Sequence, residues 1–88
     1  MTNEQITQAA RKYEGVLEKC STKRRHDPHT CCDYVQDAAD HALFLVGEIP
    51  GLIRAGKRDK AMRWLAFVQG VLWTVKMYTI EELKDDNR

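Results

Sequence analysis

The apolar side chains of this chain recur at steps of three and four residues, and this spacing restricts the fold more than any other feature. In the first periodic segment the apolar positions are Ile6, Ala9, Ala10, Tyr13, Val16, Leu17 and Cys20. Such steps place side chains on one side of an α-helix. Two further segments repeat the pattern, so the sequence predicts three long helices and a short last one.

The helix bounds follow from capping residues and from breaks in the apolar pattern. We place the helices at about 3–21, 28–49 with a kinked extension to 55, 58–77 and 80–85. Thr2 with Gln5, and Thr79 with Glu82, have the spacing of capping boxes, in which each residue of a pair bonds the other's backbone N–H. These pairs predict where the first and last helices begin.

Proline and glycine mark the breaks around the second helix. Asp27 is a favourable N-cap, and Pro28 at the first helical position loses an N–H that has no helical partner there. Pro50 lacks the N–H that a helix interior needs, so it kinks or ends the helix. Gly56 suits the left-handed residue that closes a helix.

The fold class follows from these segments. Short connections between long helices favour antiparallel neighbours, and 88 residues suffice for one domain. We predict an all-α fold in which residues 1–88 form a single domain, an antiparallel three-helix bundle with a short C-terminal fourth helix. The second helix is apolar nearly all round from Ala42 onward, and Trp64, Phe67 and Trp73 lie off the core stripe of the third. Together the two helices display more apolar surface than one small bundle can bury, which predicts a homo-oligomer.

Charge and hydropathy exclude several classes of protein. The formal net charge is +1, which argues against duplex nucleic acid as a partner. The longest apolar run, residues 42–46, is too short to span a membrane, and the first residues lack the apolar core of a secretion signal. Cys31 and Cys32 are adjacent in a chain with three cysteines, which predicts reduced thiols. We expect a cytoplasmic protein.

Catalysis finds no support in the motifs. The sequence has no glycine-rich phosphate loop, no nucleophile elbow and no His-Glu-x-x-His helix. We therefore predict a binding protein without cofactor rather than an enzyme.

The segment before the second helix is the first candidate ligand site. It supplies Lys23, Arg24, Arg25, His26 and Thr30. The N-terminus of a helix carries free N–H groups and a partial positive charge, so cations beside it favour phosphate or carboxylate. The simpler interpretation, a solvated basic loop, is the more common role of such segments.

A second basic cluster surrounds the turn before the third helix and consists of Arg54, Lys57, Arg58, Lys60 and Arg63. A helix of about 20 residues is about 30 Å long, so the two clusters cannot hold one small ligand within a single subunit. Arg58 and Arg63 could join the first site only from a neighbouring subunit. A solvated helix start is again the simpler interpretation.

Cysteine and histidine also gather near the first site. Zinc takes four nitrogen or sulfur ligands, which Cys20, His26, His29 and either Cys31 or Cys32 could supply. Their spacing matches no usual zinc-finger pattern, so buried thiols and loop histidines are the simpler interpretation. A structural zinc site stays the less favoured alternative.

Residues 56–88 carry the most specific pattern. A basic turn is followed by Trp64, Leu65, Phe67, Val68, Gln69, Gly70, Leu72 and Trp73, and then by Thr79, Ile80, Leu83 and Lys84. This pattern resembles a group of small tailed-phage proteins, over a little more than a third of the chain. The resemblance implies no established function. It implies an accessory phage protein, and such proteins often bind host machinery or host immune signals, including nucleotide second messengers.

The leading functional hypothesis is a phage-encoded oligomeric binding protein that interferes with a host defence process by sequestering a small anionic nucleotide. One alternative is an inhibitor that binds a host protein through the exposed apolar faces of the second and third helices. Another is a structural helical module held by zinc.

Overall fold

The structure is a computed structural model that describes residues 1–22, 31–32 and 34–88. Regular secondary structure in these residues is entirely helical. The helices are α1 (Asn3–Glu18), α2 (Val35–Arg54), α3 (Arg58–Thr74) and α4 (Ile80–Asp86). α2 packs against both α1 and α3, with fewer contacts between α1 and α3. The predicted all-α bundle is confirmed.

The core lies where the apolar stripes of the three long helices meet. Its largest fully buried side chains are Tyr13, Ile6, Leu17, Ile49, Leu65, Leu72, Val46 and Val68. α4 adds Leu83, which is 6% exposed. Burial of these side chains is the main favourable contribution to folding.

α1 begins at its predicted position and ends earlier than predicted. The Thr2 hydroxyl accepts from the Gln5 N–H at 3.1 Å, and the Gln5 side chain accepts from the Thr2 N–H at 2.7 Å. The helix ends at Glu18 instead of continuing to residue 21. Beyond it, the Ser21 hydroxyl and both the N–H and the hydroxyl of Thr22 donate to Asp40 of α2.

α2 begins later than the sequence indicates. Residues 31, 32 and 34 lie outside the helix, which starts at Val35 rather than near residue 28. Tyr34 is extended, and its N–H donates to the Asp37 carboxylate at 3.2 Å. This bond satisfies a first-turn donor and sets the helix start. The predicted Asp27 cap and Pro28 lie outside the described residues.

α2 and α3 both end with a residue in the left-handed conformation, followed by an N–H that donates back to the last turn of the helix. α2 continues through Pro50 to Arg54, because Leu52 and Ile53 pack against the core. The predicted Gly56 cap is confirmed: its φ is 75°, and the Lys57 N–H reaches the Leu52 carbonyl at 2.9 Å.

α3 ends at Thr74 rather than at the predicted residue 77. Lys76 occupies the left-handed position with φ of 65°, and the Met77 N–H donates to the Leu72 carbonyl at 2.9 Å. A non-glycine residue at this position is strained. The capping box of α4 forms as predicted between Thr79 and Glu82.

None of the helices in the described ranges combines the length and the apolar character needed to cross a membrane.

Candidate functional site: an exposed aromatic face and two polar networks

The residues of the first predicted site fall outside the described part of the chain. Lys23, Arg24, Arg25, His26 and Thr30 all lie there, as does the proposed metal ligand His29. The structure therefore does not test the anion site that these residues predict.

Arg58, predicted as a ligand-binding residue, forms contacts within its own chain. Its guanidinium donates to the Asn3 side chain at 2.6 Å and to the Met1 carbonyl. These bonds tie the start of α3 to the start of α1. Arg63, five residues further along α3, is exposed. Of the two predicted cations, Arg63 is thus the more accessible to a ligand.

The cysteines do not form a metal cluster with the other described residues. Cys20, Cys31 and Cys32 are exposed. Among the described residues, no three His, Cys, Asp or Glu side chains are placed to hold a metal ion. The expectation that these thiols are buried is wrong. All three lie outside the helices, because α1 ends at Glu18 and α2 begins at Val35.

A buried carboxylate, which the sequence reasoning missed, joins α1 to α2. Asp40 is 2% exposed. It accepts from the Ser21 hydroxyl at 2.5 Å, from the Thr22 N–H at 2.7 Å, from the Thr22 hydroxyl and from the Gln36 amide at 3.0 Å. The Gln36 amide also donates to the Cys20 carbonyl at 2.8 Å. Asp40 thereby holds the segment that follows α1 against the first turns of α2. We call this arrangement the Asp40 clamp.

The Asp40 clamp favours the ionised carboxylate. Burial by itself raises the pKa of Asp40, but hydrogen bonds from Ser21, Thr22 and Gln36 outweigh burial and hold that pKa well below its usual range. A carboxylate that accepts several hydrogen bonds is strongly stabilised in its charged form. The first described residues after α1 are therefore anchored at the point where the predicted basic segment begins.

A second polar network attaches α4 to the bundle. The buried Tyr13 hydroxyl donates to Asp86 at 2.8 Å and accepts from the Gln69 amide at 3.0 Å. Gln69 and Asn87 exchange two further bonds, of 2.7 and 3.2 Å. Lys12 forms an ion pair with Asp86 at 2.9 Å. We call this set of contacts the Tyr13 network.

Two pKa values reflect the Tyr13 network. Burial raises the pKa of Tyr13 far above its usual value. The hydrogen bond to Asp86 raises the pKa of Lys12 against a smaller opposing effect of burial. Both shifts favour the protonated forms of these side chains at neutral pH, in which the Tyr13 hydroxyl and the Lys12 ammonium donate to Asp86.

The outer side of α3 exposes large aromatic side chains. Phe67 is 53% exposed and Trp73 is 54% exposed. Trp64 differs from them, since it packs partly against the core and lies under the Lys60 ammonium, 5.1 Å from the ring centroid. The exposed residues of this side are Arg63, Ala66, Phe67, Gly70, Trp73 and Thr74. We call them the α3 outer face.

Neighbouring elements border the α3 outer face at two places. Near the middle of α3, the His41 ring of α2 stands edge-on to Phe67, with 6.0 Å between the ring centroids. At the C-terminal end of α3, an open cleft of about 410 Å³ is lined by Trp73, Lys76, Met77, Tyr78, Thr79, Ile80 and Glu82. Ile80 is itself 46% exposed. A contiguous apolar surface on a small protein is typical of an interaction site.

The sequence contains weak signals for the two polar networks. Asp40 is the one acidic residue between Ala39 and Ala42 on the apolar side of α2, and Gln36 precedes it by four residues. A polar residue within an apolar stripe indicates a buried hydrogen-bonding group. Its partners Ser21 and Thr22 come from another element, so only the packing of α1 on α2 identifies them.

Comparison with protein-family models, with curated proteins and with solved structures finds no match to this chain.

Proposed function

We propose that this chain is a phage-encoded binding protein that works as a homo-oligomer and interferes with a host defence process. The phage origin and the host process rest on the resemblance of residues 56–88 to small tailed-phage proteins. The binding role rests on the α3 outer face.

The observation that carries the proposal is the exposure of Phe67 and Trp73. Each of these residues is about half exposed, although aromatic side chains contribute most when buried. Folding of the single chain therefore leaves apolar surface exposed to water, and association with a partner can bury it.

We also infer that the three long helices run antiparallel. Thr22, just after α1, bonds to Asp40 in the second turn of α2. Arg58, at the start of α3, bonds to Met1 and Asn3 at the start of α1. The start of α1 thus lies beside the start of α3 and its end beside the start of α2. These contacts support an up-down-up order.

The ligand that we propose is a small anionic nucleotide. Lys23, Arg24, Arg25, His26 and Thr30 would bind its phosphates. In the antiparallel order Arg63 lies in the part of α3 far from Thr22, the last described residue before this segment, so it would come from a neighbouring subunit. Arg58 would have to give up its bonds to α1 before it could take part. The Asp40 clamp supports the proposal because it anchors the chain directly before this basic segment.

The test is native mass spectrometry of protein purified from its host, before and after mild denaturation. We expect an oligomer that carries an additional mass of nucleotide size. A monomer without bound anion would contradict both the homo-oligomer and the sequestration of a nucleotide. Zinc in the spectrum, with a melting temperature lowered by chelator, would favour the zinc-held module instead.

A double variant tests the basic segment directly. We expect Arg24→Ala with Arg25→Ala to abolish the rise in melting temperature that a cyclic dinucleotide causes in the parent protein. Arg11→Ala with Lys84→Ala removes two exposed cations from α1 and α4 and is the matched control. Unchanged stabilisation in the first double variant would remove this segment from the site.

A host protein is the second candidate partner, and the open cleft beside Trp73 favours it. Met77, Tyr78 and Ile80 line this cleft, which could receive an apolar side chain from another protein. In that case the purified chain is monomeric by native mass spectrometry. The variant Ile80→Glu, which places a charge at the cleft, then loses the host protein that the parent chain retains. Retention of that protein by the variant would exclude the cleft.

A further inference from the structure

We propose that two copies of this chain associate by exchanging α4, so that α4 of each copy packs against α1 and α3 of the other. This inference deepens the proposed homo-oligomer, on which it rests, by naming the element and the site through which the copies join.

The way in which α4 is held to the bundle is the first observation. The Tyr13 network joins Asp86 and Asn87, at the end of α4, to side chains of α1 and α3. Leu83 is the one side chain of α4 that is buried. An element with few buried apolar contacts opens at a lower free energy than a core helix does. The site that it leaves carries polar groups placed for α4 and for no other described part of the chain.

The residue before the cap of α4 belongs to the same docked unit. The Tyr78 ring stands edge-on to the ring of Tyr13, with 5.5 Å between the ring centroids. The Lys12 ammonium lies 5.4 Å from the centroid of Tyr78. These contacts form whichever copy supplies Tyr78 and α4, so a closed chain and an exchanged dimer differ chiefly in residues 75–77. We call these residues the hinge.

Backbone strain in the hinge opposes the closed chain. Lys76 has a φ of 65°, and this left-handed conformation is unfavourable for a residue with a Cβ. Gly56 takes the same conformation after α2 without that cost. The left-handed turn at Lys76 ends α3 and redirects the chain into α4, so opening of the hinge releases the strain.

The open hinge has a helical conformation available to it. The apolar spacing predicts a third helix to residue 77, whereas α3 ends at Thr74 in the closed chain. Lysine and methionine both favour a helix. Lys76 is exposed, and Met77 would give up a partial packing against the core, which the released strain offsets in part. A helix continued through the hinge carries α4 away from its own bundle and toward a second one.

Exposed apolar side chains flank the hinge. Trp73 is 54% exposed and Ile80 is 46% exposed. They line the open cleft together with Lys76 and Glu82, so charges of both signs are present there. The hinges of an exchanged dimer pass close to each other, and this contact can cover Trp73 and Ile80.

Two substitutions at one hinge position test the role of the strain. Glycine adopts the left-handed conformation readily and disfavours a helix, so Lys76→Gly should favour the closed monomer. Lys76→Ala removes the same charge but keeps a Cβ and favours the helix, so it is the matched control. Sedimentation over a dilution series should show the dimer dissociation constant raised about tenfold or more in Lys76→Gly and not raised in Lys76→Ala. Equal dissociation constants in the two variants would overturn exchange through this hinge.

Cross-linking identifies which copy supplies α4. Gln8 borders the cleft that Asp86 also lines, and the Arg88 carbonyl accepts from the Gln5 amide at 3.2 Å. Positions 8 and 88 therefore lie close together when α4 is docked, and neither side chain belongs to the Tyr13 network. Variants for this test carry serine at all three native cysteine positions, 20, 31 and 32.

Two such preparations, one with Gln8→Cys and one with Arg88→Cys, are mixed in mild urea, returned to buffer and treated with a short bismaleimide. A single chain that carries both substitutions is the control, since its closed monomer links within itself. We expect the dimer fraction of the mixture to contain a link from position 8 of one copy to position 88 of the other, identified by mass spectrometry. Dimers without this link would overturn the exchange of α4.

The outcomes separate this inference from the broader proposal. An oligomeric parent protein whose copies are not linked between positions 8 and 88 overturns the exchange but leaves the homo-oligomer intact. A monomeric parent protein overturns both.

Discussion

The Asp40 clamp and the α3 outer face reverse the usual distribution of side chains in opposite ways. Asp40 is a charged side chain at 2% exposure, whereas Phe67 and Trp73 are aromatic side chains at about half exposure. The buried carboxylate meets donors from Ser21, Thr22 and Gln36. The exposed rings keep much of their surface in water.

The comparison distinguishes hydrogen bonds that stabilise the fold from apolar surface that the fold does not bury. A buried charge without partners would be too costly to keep, so the donors around Asp40 belong to the stability of the α1–α2 junction. No such requirement applies to Phe67 and Trp73, because an exposed ring costs little and contributes little. Substitutions in the Asp40 clamp should therefore lower the stability of the subunit far more than substitutions on the α3 outer face, and the following variants test this.

The largest expected effect is that of Asp40→Asn. The amide keeps the shape of the carboxyl but loses its charge and turns an NH₂ group toward donors, so we expect a loss of about 3 kcal/mol in the free energy of unfolding. Urea denaturation measures it. Asp85→Asn is the control, since Asp85 is exposed and should change stability by less than about 0.5 kcal/mol. Equal effects of the two variants would contradict the role of the Asp40 clamp.

Acid should remove the same stabilisation from the parent protein. The folded-state pKa of Asp40 is depressed, so its contribution is complete above the unfolded-state pKa of about 3.9 and is lost as the pH falls through the folded-state value. We expect the unfolding free energy of the parent to fall more steeply below about pH 4 than that of Asp40→Asn. Parallel pH profiles would mean that another group, such as Glu82, dominates acid unfolding.

A smaller loss is expected from Tyr13→Phe. The substitution keeps the ring in the core and removes the hydroxyl that joins Asp86 to Gln69, at a cost of about 1.5 kcal/mol. Hydrogen exchange should show faster opening of α4, whose attachment depends on these bonds. Tyr34→Phe is the matched control, because Tyr34 is 73% exposed. If α4 exchanges equally in both variants, the Tyr13 network does not hold it.

The smallest effect on the single subunit is expected from Phe67→Gln. Phe67 is 53% exposed in the folded subunit, so the unfolding free energy of the dilute, monomeric protein should change by about 0.5 kcal/mol or less. Leu65→Ala, two residues away and buried, should cost about 2–5 kcal/mol in the same measurement. A large loss in Phe67→Gln would show that Phe67 belongs to the core and not to an interaction surface.

The helix pattern could be predicted because its causes are local. Thr2 with Gln5 and Thr79 with Glu82 bond within one turn, and Gly56 takes a backbone conformation that glycine adopts readily. The errors arise where a distant residue competes. α1 stops before residue 21 because Ser21 bonds to Asp40 of another helix.

The candidate surface was predictable in part, because the spacing of its residues along α3 is also a local feature. Trp64, Phe67 and Trp73 all lie off the core stripe of α3, and the sequence treats them alike. Packing divides them: Trp64 lies against the core and under Lys60, whereas Phe67 and Trp73 remain exposed. Whether a side chain is covered depends on how the other helices pack against it and not on the spacing of residues along its own helix.

The sequence by itself determined the helical class, the caps and the core stripes, because these depend on spacing and on bonds between near neighbours along the chain. Only the tertiary structure decided that Asp40 is buried and satisfied, that Arg58 binds the start of α1 and that Phe67 and Trp73 stay exposed. Each of these outcomes depends on residues far apart in sequence, because it is set by which contacts form, and which do not, once the helices have packed.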